Sequence, residues 1–400
     1  MKTVSIGNIC SFAKGASTPR VRMFESGDYL YLHYGDLYRG HELYIDIKDP
    51  SKEIPFILST EKIRDDQFVD DGDIIYVLTS ETVEDLGKAL MLKNPGHETI
   101  VAGTETTIMR IRDRAVVDPR WLNYLLQTER FKKTLRQYVT GMKVFRVHPR
   151  DISKIEIDLP TLEVQQKIAD ALDCFYGAIR CNAKQNDYLA EIADALFADA
   201  FGNLEDNAVL SDIANITMGQ SPAGASYNEE GVGTVFYQGR GEFGWRYPTR
   251  RLFTTEPKRM AKSGDVLMSV RAPVGDLNLA YEDCCIGRGL VAISCDYPSY
   301  CLYLMRSLGK KLDAYNGEGT VFGSISGKAL KGIGIGLPGN DDIAAFEAMV
   351  APIDAQIRCN ETESRILSQL RDALLPKLMS GEIDVSKVDL TRLNNHFPLG

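Results

Sequence analysis

A chain of 400 residues, 44% apolar and 25% charged, holds enough material for two or three packed domains. No run approaches the roughly twenty apolar residues of a membrane span, and no apolar stretch follows Met1-Lys2-Thr3-Val4-Ser5, so we expect a cytoplasmic protein with no membrane contact. The net charge of −9 counts against a uniformly basic nucleic-acid binder, and eight cysteines without a Cys-x-x-Cys, beside five scattered histidines, give neither a disulfide frame nor a metal site.

The first segment opens on Ile6-Gly7-Asn8-Ile9, then Phe12 and Gly15. Residues 28–34 read as a strand, Asp71-Gly72-Asp73 as a turn into a buried strand at Ile74–Leu78, and Thr106–Ile111 as another strand. Asp118-Pro119 is a helix start, an N-cap with proline at the first helical position, and one helix is expected to carry Trp121, Leu125, Leu135 and Tyr138. Ile155, Ile157 and Leu159 alternate as in a half-buried strand. Leu159-Pro160 then leads into a long helix. Its apolar residues recur every seven positions, Ile168, Phe175, Leu189 and Leu196 in one row and Leu172, Ile179 and Ala193 in the other.

A second segment repeats the plan. Leu210-Ser211-Asp212-Ile213, Ile216 and Gly219 echo the opening, and Ser263-Gly264-Asp265 precedes the strand Val266-Leu267-Met268. A helix follows near 297–315, then the alternation Ile333, Ile335, Leu337. Leu337-Pro338 leads into a second long helix with Phe346, Ile353, Leu367 and Leu374 in one row and Val350 and Ile357 in the other. The register returns 178 residues after the first helix, whereas the opening motifs are 204 apart, so the first segment carries 26 extra residues in loops. Each helix row is interrupted by an asparagine, Asn182 or Asn360, inside an identical tetrapeptide, Ile-Arg-Cys-Asn. Pro352 is expected inside the second helix, bending it where the first has Cys174.

No catalytic constellation stands out: no methyltransferase tetrapeptide, no phosphate-binding P-loop and no His-Glu-x-x-His. Two stretches fit G-x-G-x-x-G. Gly239–Gly244 is followed by Trp245-Arg246-Tyr247-Pro248, which is no helix start, and Gly334–Gly339 has no glycine in its first-repeat counterpart. Binding chemistry remains. Residues 110–154 hold twelve Lys or Arg against four acids, and residues 240–262 hold seven against two, while the helix region 161–205 is acidic, three against eight. Arg240, Arg246 and Arg251 alternate with aromatic residues, and Arg271 follows a buried strand. Lys143 and Arg146 follow Gly141 after a basic helix. Arginine reads guanine edges bidentately, so these six are the candidate DNA contacts. A solvated loop with structural ion pairs is the competing reading.

Leu159-Pro160-Thr161-Leu162-Glu163-Val164-Gln165-Gln166-Lys167-Ile168, Leu374–Ile383, and Ser269-Val270-Arg271-Ala272-Pro273-Val274-Gly275 with Ile286-Gly287-Arg288-Gly289 resemble the specificity (S) subunits of type I restriction–modification systems, over residues 1–385. The likeness departs at Asn340-Asp341-Asp342-Ile343 and at Thr79-Ser80-Glu81-Thr82-Val83. It implies a mixed α/β chain: target-recognition domain 1 (1–160), long helix 1 (161–205), target-recognition domain 2 (206–338), long helix 2 (339–385) and a tail (386–400). The two helices would pack as an antiparallel coiled coil, with Asn182 facing Asn360 and fixing its register. It further implies a non-catalytic subunit whose domains each read half of a bipartite double-stranded DNA target. The helices would set the spacer and dock modification (methyltransferase) subunits, and restriction subunits would add cleavage. S-adenosylmethionine, Mg and ATP would be bound only by those partners. The alternative is a non-enzymatic two-lobed scaffold binding protein or glycan; a stand-alone modification enzyme is disfavoured by the missing motifs.

Overall fold

The computed structural model describes residues 2–38, 41–49, 53–83, 86–317 and 323–385; the tail 386–400 lies outside them. The chain divides into two compact units, Met1–Arg180 with Ser364–Gly400, and Cys181–Glu363.

In the first unit, a five-stranded sheet runs in the order Cys10–Lys14, Thr106–Ile111, Ile74–Val77, Lys88–Lys93, Tyr44–Asp46. A four-stranded sheet runs Phe56–Ile57, Tyr29–Leu32, Ile100–Ala102, Phe68–Val69. Lys2–Ser5 pairs antiparallel with Glu156–Leu159, whose alternate residues Ile157 and Leu159 are buried. Asp118 caps its helix by accepting from the amides of Arg120 (2.8 Å) and Trp121 (3.3 Å). The single helix expected there is two. Pro119–Gln127 stops at Thr128, whose hydroxyl caps the next helix, Glu129–Arg136, by accepting from the Phe131 amide at 3.2 Å. A threonine that can bond its own backbone competes with continued helix, and Tyr138 falls beyond the second helix altogether.

The second unit has the same plan. Its four-stranded sheet runs Asn215–Met218, Leu290–Ser294, Val266–Ser269, Leu277–Leu279, the order of the first unit's five-stranded sheet without its last strand. Its five-stranded sheet runs Tyr227–Asn228, Phe253–Thr254, Thr234–Tyr237, Cys284–Ile286, Met260–Ala261, the order of the first unit's four-stranded sheet with one strand added. Ala208–Val209 pairs with Gly334–Ile335. Its helix near 297–315 is also split, into Pro298–Ser307 and Gly309–Asp313. Hydrogen-bond register aligns the two plans residue by residue. Lys14 corresponds to Met218, 204 residues on; Val77 to Ser269, 192 on; Thr106 to Leu290, 184 on; Val147 to Ile325, 178 on. The 26 extra residues are therefore shed in net steps of 12, 8 and 6 between these aligned positions. The glycines that close the plan show why they recur: a Cβ on Gly15 would lie 2.1 Å from the Gly103 carbonyl oxygen, and one on Gly219 2.1 Å from that of Gly287.

The long helices are Leu162–Phe201 and Asn340–Ser380. In the first unit Phe175, Ala178 and Ile179 cluster with Leu367 and Leu374. In the second, Phe197 and Phe201 each stack edge-on against Phe346 with ring centroids 5.5 Å apart. Within that unit, contacts pair Asn182 with Glu363, Asn186 with Glu361 and Phe197 with Phe346, which is antiparallel packing. Phe197, absent from the heptad rows, is the buried residue there, and neighbouring Leu196 is only partly covered. Pro352 lies inside the second helix on its exposed side, and the helical run continues through it. The ring removes the donor that the Ala348 carbonyl would otherwise receive.

The tetrapeptide shared by the helices divides its work by position. Ile179 packs on the seam cluster, Ile357 is buried, and Cys181 and Cys359 are exposed. The arginines bind each helix to a sheet domain: Arg180 to Asp46 (3.4 Å) and Asp49 (2.9 Å), Arg358 to the Tyr281 carbonyl (2.7 Å). Asn182 donates to the Asn360 carbonyl at 3.3 Å and to Glu363 at 2.9 Å. The Asn360 side chain donates instead to Asn186, 2.9 Å away. The pair expected from sequence is thus a trio, and Asn186 stands one turn after Asn182, the i+4 spacing that marks it as a seam neighbour.

Candidate nucleic-acid interface

In the second unit, the loops after Asn215–Met218 and Val266–Ser269 of the four-stranded sheet and after Thr234–Tyr237 and Cys284–Ile286 of the five-stranded sheet meet around a concavity lined by Ser221, Gln238, Arg240, Glu242, Arg271 and Arg288. The corresponding end of the first unit's sheet has a concavity lined by Lys14, Thr79, Glu105, Arg146 and His148. Loops at strand ends are where a rigid sheet can offer variable side chains, so the two concavities are the candidate site in each domain.

The sequence candidates separate on their partners. Arg240 is exposed and paired with Asp276. Arg251 is exposed and donates to Glu242 at 2.5 Å, with Glu229 at 3.6 Å. The neighbouring Arg250 forks onto Glu282 at 2.5 and 2.7 Å. Arg271 lies on the concavity beside the bridge that its backbone makes with Ser324, and its guanidinium has no carboxylate partner among the described residues. Lys143 sits at the exposed tip of a hairpin closed by the Thr140–Arg146 bridge, next to Met142, which is 93% exposed. Arg146 is exposed on the same hairpin, where Gly141 takes a left-handed φ of 106°.

Arg246 corrects the expectation of a DNA-facing side chain. Its side chain is 4% exposed, pairs with Asp354 of the second long helix at 2.5 Å and donates to the Tyr303 hydroxyl at 3.2 Å. Burial works against its charge, but Tyr303 and Asp354 more than offset this and push its pKa up. The Tyr303 hydroxyl donates to Asp354 at 2.9 Å, and burial pushes its own pKa up. Arg246 is a clamp between sheet domain and helix. The first unit has a related clamp: Asp173 accepts from Tyr124 at 2.8 Å and from Tyr44, and meets Arg120 at 3.1 Å.

The second Gly-x-Gly-x-x-Gly stretch is explained by packing. A Cβ on Gly334 would lie 2.6 Å from the Asp206 carboxylate, and one on Gly336 2.5 Å from Leu204 Cβ. These glycines admit the chain that enters the second domain, which is reason enough for them without a nucleotide. Among the described residues no group of His, Cys, Asp and Glu is placed to hold a metal ion, and no helix is long and apolar enough to cross a membrane.

Residues 1–191 match the family described as type I restriction modification DNA specificity domain. Over 342 residues the chain is 30% identical to the putative type I restriction enzyme MjaX specificity subunit of Methanocaldococcus jannaschii, covering 78% of this chain and 79% of that protein. It is 23% identical over 339 residues to the type I restriction enzyme MjaIX specificity subunit of the same organism, covering 76% of each. Its fold is similar to the crystal structure of a type I restriction–modification S subunit from M. genitalium, with a TM-score of 0.60 at 16% identity, over 94% of this chain and 95% of that one. The chain belongs to the type I restriction–modification specificity subunits: it is the non-catalytic DNA specificity component of a complex with other subunits, and it carries no cofactor of its own.

Proposed function

We propose that domains 1–160 and 206–338 each read one half of a bipartite duplex target in the cytoplasm, while the long helices set the spacer and dock modification subunits, to which restriction subunits are added. The observation that carries this is the duplication itself. One core strand order occurs twice, with one further strand in each copy, and each copy offers loops at corresponding strand ends, with different side chains at corresponding positions. On this reading Arg271 with Lys143 and Arg146 face DNA, and Arg240 and Arg251 lie on the same face while bound to carboxylates.

Docking is supported by a second repetition. Tyr188 and Ile192 are left exposed on the first helix, and the residues 178 positions on, Ile366 and Leu370, are left exposed on the second. Large apolar side chains recurring at one register are what two copies of one partner would bind. The test is a complex reconstituted with its modification subunits. DNA binding should weaken steeply with salt, and the methylated bases should define two half-sites separated by a fixed spacer. Replacing Tyr188 and Ile192 with alanine should cost partner binding about 2 kcal/mol or more. Salt-insensitive binding, or a methylated motif that does not split in two, would defeat the reading.

A further inference from the structure

The second domain's concavity contains more cations than it leaves available. Arg240 is held by Asp276 and Arg251 by Glu242, a carboxylate that itself lines the concavity and is only 7% exposed. Arg271 and Arg288, by contrast, are exposed, and neither guanidinium has an acidic partner among the described residues. The Gln238 side-chain amide is exposed on the same wall, also without a hydrogen-bond partner among the described residues. A guanidinium already forked onto a carboxylate must give up that bond to read a base. A free one does not, and so has more of its donors to offer.

The backbone fixes the free groups side by side. Gly287 donates to the Tyr237 carbonyl at 2.8 Å and Gly289 to the Gln238 carbonyl at 3.3 Å, so the 287–289 loop lies directly on the 237–239 loop. A Cβ on Gly287 would be 2.9 Å from Gln238 Cα, and one on Gly289 2.8 Å from the Gln238 carbonyl oxygen. Only glycine permits this approach. The Arg288 amide is tied to the Ser221 hydroxyl at 3.3 Å, and Val270, next to Arg271, donates to the Gly289 carbonyl at 3.0 Å. Three loops are thus cross-braced through backbone, with three uncommitted side chains on their outer surface.

Building on the proposal that this domain reads DNA, we infer that Arg288, with Arg271 and Gln238, is its base-reading set, and that Arg240 and Arg251 serve to hold the loops. Arginine's fork matches the two acceptors of a guanine edge and glutamine matches the adenine edge, so the half-site contains guanine under Arg288 and under Arg271. The corresponding residues of the first domain differ at each place. Hydrogen-bond register sets His33 against Gln238, Thr79 against Arg271 and Thr104 against Arg288. Thr104 is committed inward, its hydroxyl 3.1 Å from Tyr31. On the first domain's concavity it is instead Arg146 that has no acidic partner among the described residues, where the second has Ser324. The two half-sites should therefore differ in sequence.

The test maps methylated bases after reconstitution with the cognate modification subunits, for wild type, Arg288→Ala, Arg288→Lys, Gln238→Ala and Arg259→Ala. Arg288→Ala should relax one base of one half-site, lowering discrimination there about 5- to 150-fold and leaving the other half unchanged. Arg288→Lys keeps the charge but loses the fork, so it should relax the same base with less loss of overall methylation. Gln238→Ala should relax a different base of that half, and Arg259→Ala, a basic side chain outside the concavity, should change none. An Arg288→Ala complex that methylates all sites more slowly but keeps its motif base for base would overturn the inference, since that is a phosphate contact. Exchange of residues 206–338 for those of another specificity subunit separates the failures. If the exchange alters a half-site and Arg288→Ala does not, only this inference fails; if the exchange alters nothing, the parent reading fails with it.

Discussion

The two sheet domains share a core strand order and their manner of attachment to a helix, yet almost nothing at the loops where corresponding positions meet solvent. In the first, Arg120 meets Asp118, Asp170 and Asp173 of its unit, so no single carboxylate is indispensable. In the second, Asp354 is the one countercharge that Arg246 meets among the described residues. The turns before the central strands diverge in the same way. Asp73 is buried and accepts two hydrogen bonds from the Arg110 guanidinium, at 2.8 and 3.1 Å. Its counterpart Asp265 accepts from the Lys262 amide at 2.8 Å and from no guanidinium among the described residues, because Ser294 stands where Arg110 does. Duplication has kept the hydrogen-bonded frame and let the charges around it drift. Charges set on that frame answer to different constraints in each copy, and so can be broken one copy at a time.

The largest effect should come from the clamps. Asp354→Ala leaves a buried guanidinium without its countercharge and should destabilise the chain by about 3–5 kcal/mol. Asp173→Ala leaves Arg120 two other carboxylates and should cost about 1–3 kcal/mol, mostly through the phenols of Tyr44 and Tyr124. Chemical denaturation of the full chain measures both. Equal losses would erase the distinction between the clamps.

Asp73→Asn comes next. It removes the charge-assisted bonds to Arg110, at about 1.5–3 kcal/mol. The matching change in the other copy has the opposite sign. Burial raises the Asp265 pKa, so the folded state disfavours its ionised form. Below the ordinary carboxylate range both states are protonated and nothing is lost. As pH rises, the unfolded chain ionises first and stability falls, until the folded carboxyl ionises in turn. Asp265→Asn keeps the acceptor for the Lys262 amide without the charge. It should match wild type at low pH and gain a small margin in melting temperature as pH rises towards neutrality. A margin that grew on acidification would contradict this.

The helix seam gives a smaller effect with a functional readout. Leucine at Asn182 and Asn360 alone takes the donor from the Asn186 side-chain carbonyl, leaving only its amide bonded, to Glu361, and should give little or no net stabilisation. Adding Asn186→Leu should stabilise the coil while letting its register slip, widening the range of spacers accepted. Unchanged spacer discrimination in the triple variant would remove the ruler role and leave the packing intact.

Much of this was legible in the sequence where physical periodicity carries it. The heptads, the Leu-Pro entries, the Asp118 cap and the paired asparagines all report local geometry. What was not legible depends on contacts far along the chain. Arg246 sits among aromatics in a basic loop and reads like a DNA contact, but its carboxylate lies 108 residues away. Arg288 and Gln238 gain their meaning only when two loops remote in sequence stack through glycines. The helix break at Thr128 turns on one hydroxyl choosing a cap over continued helix, a choice the apolar pattern does not record.

The most direct test of the central claim, one frame carrying two independent reading surfaces, is to give the second domain the first domain's residues. A chain bearing Gln238→His, Arg271→Thr and Arg288→Thr, assembled with its modification subunits, is assayed by mapping every methylated base. The account predicts that one half-site changes or loses its guanines while the other half and the spacer stay as in wild type. A motif altered in both halves, or in neither, would contradict it.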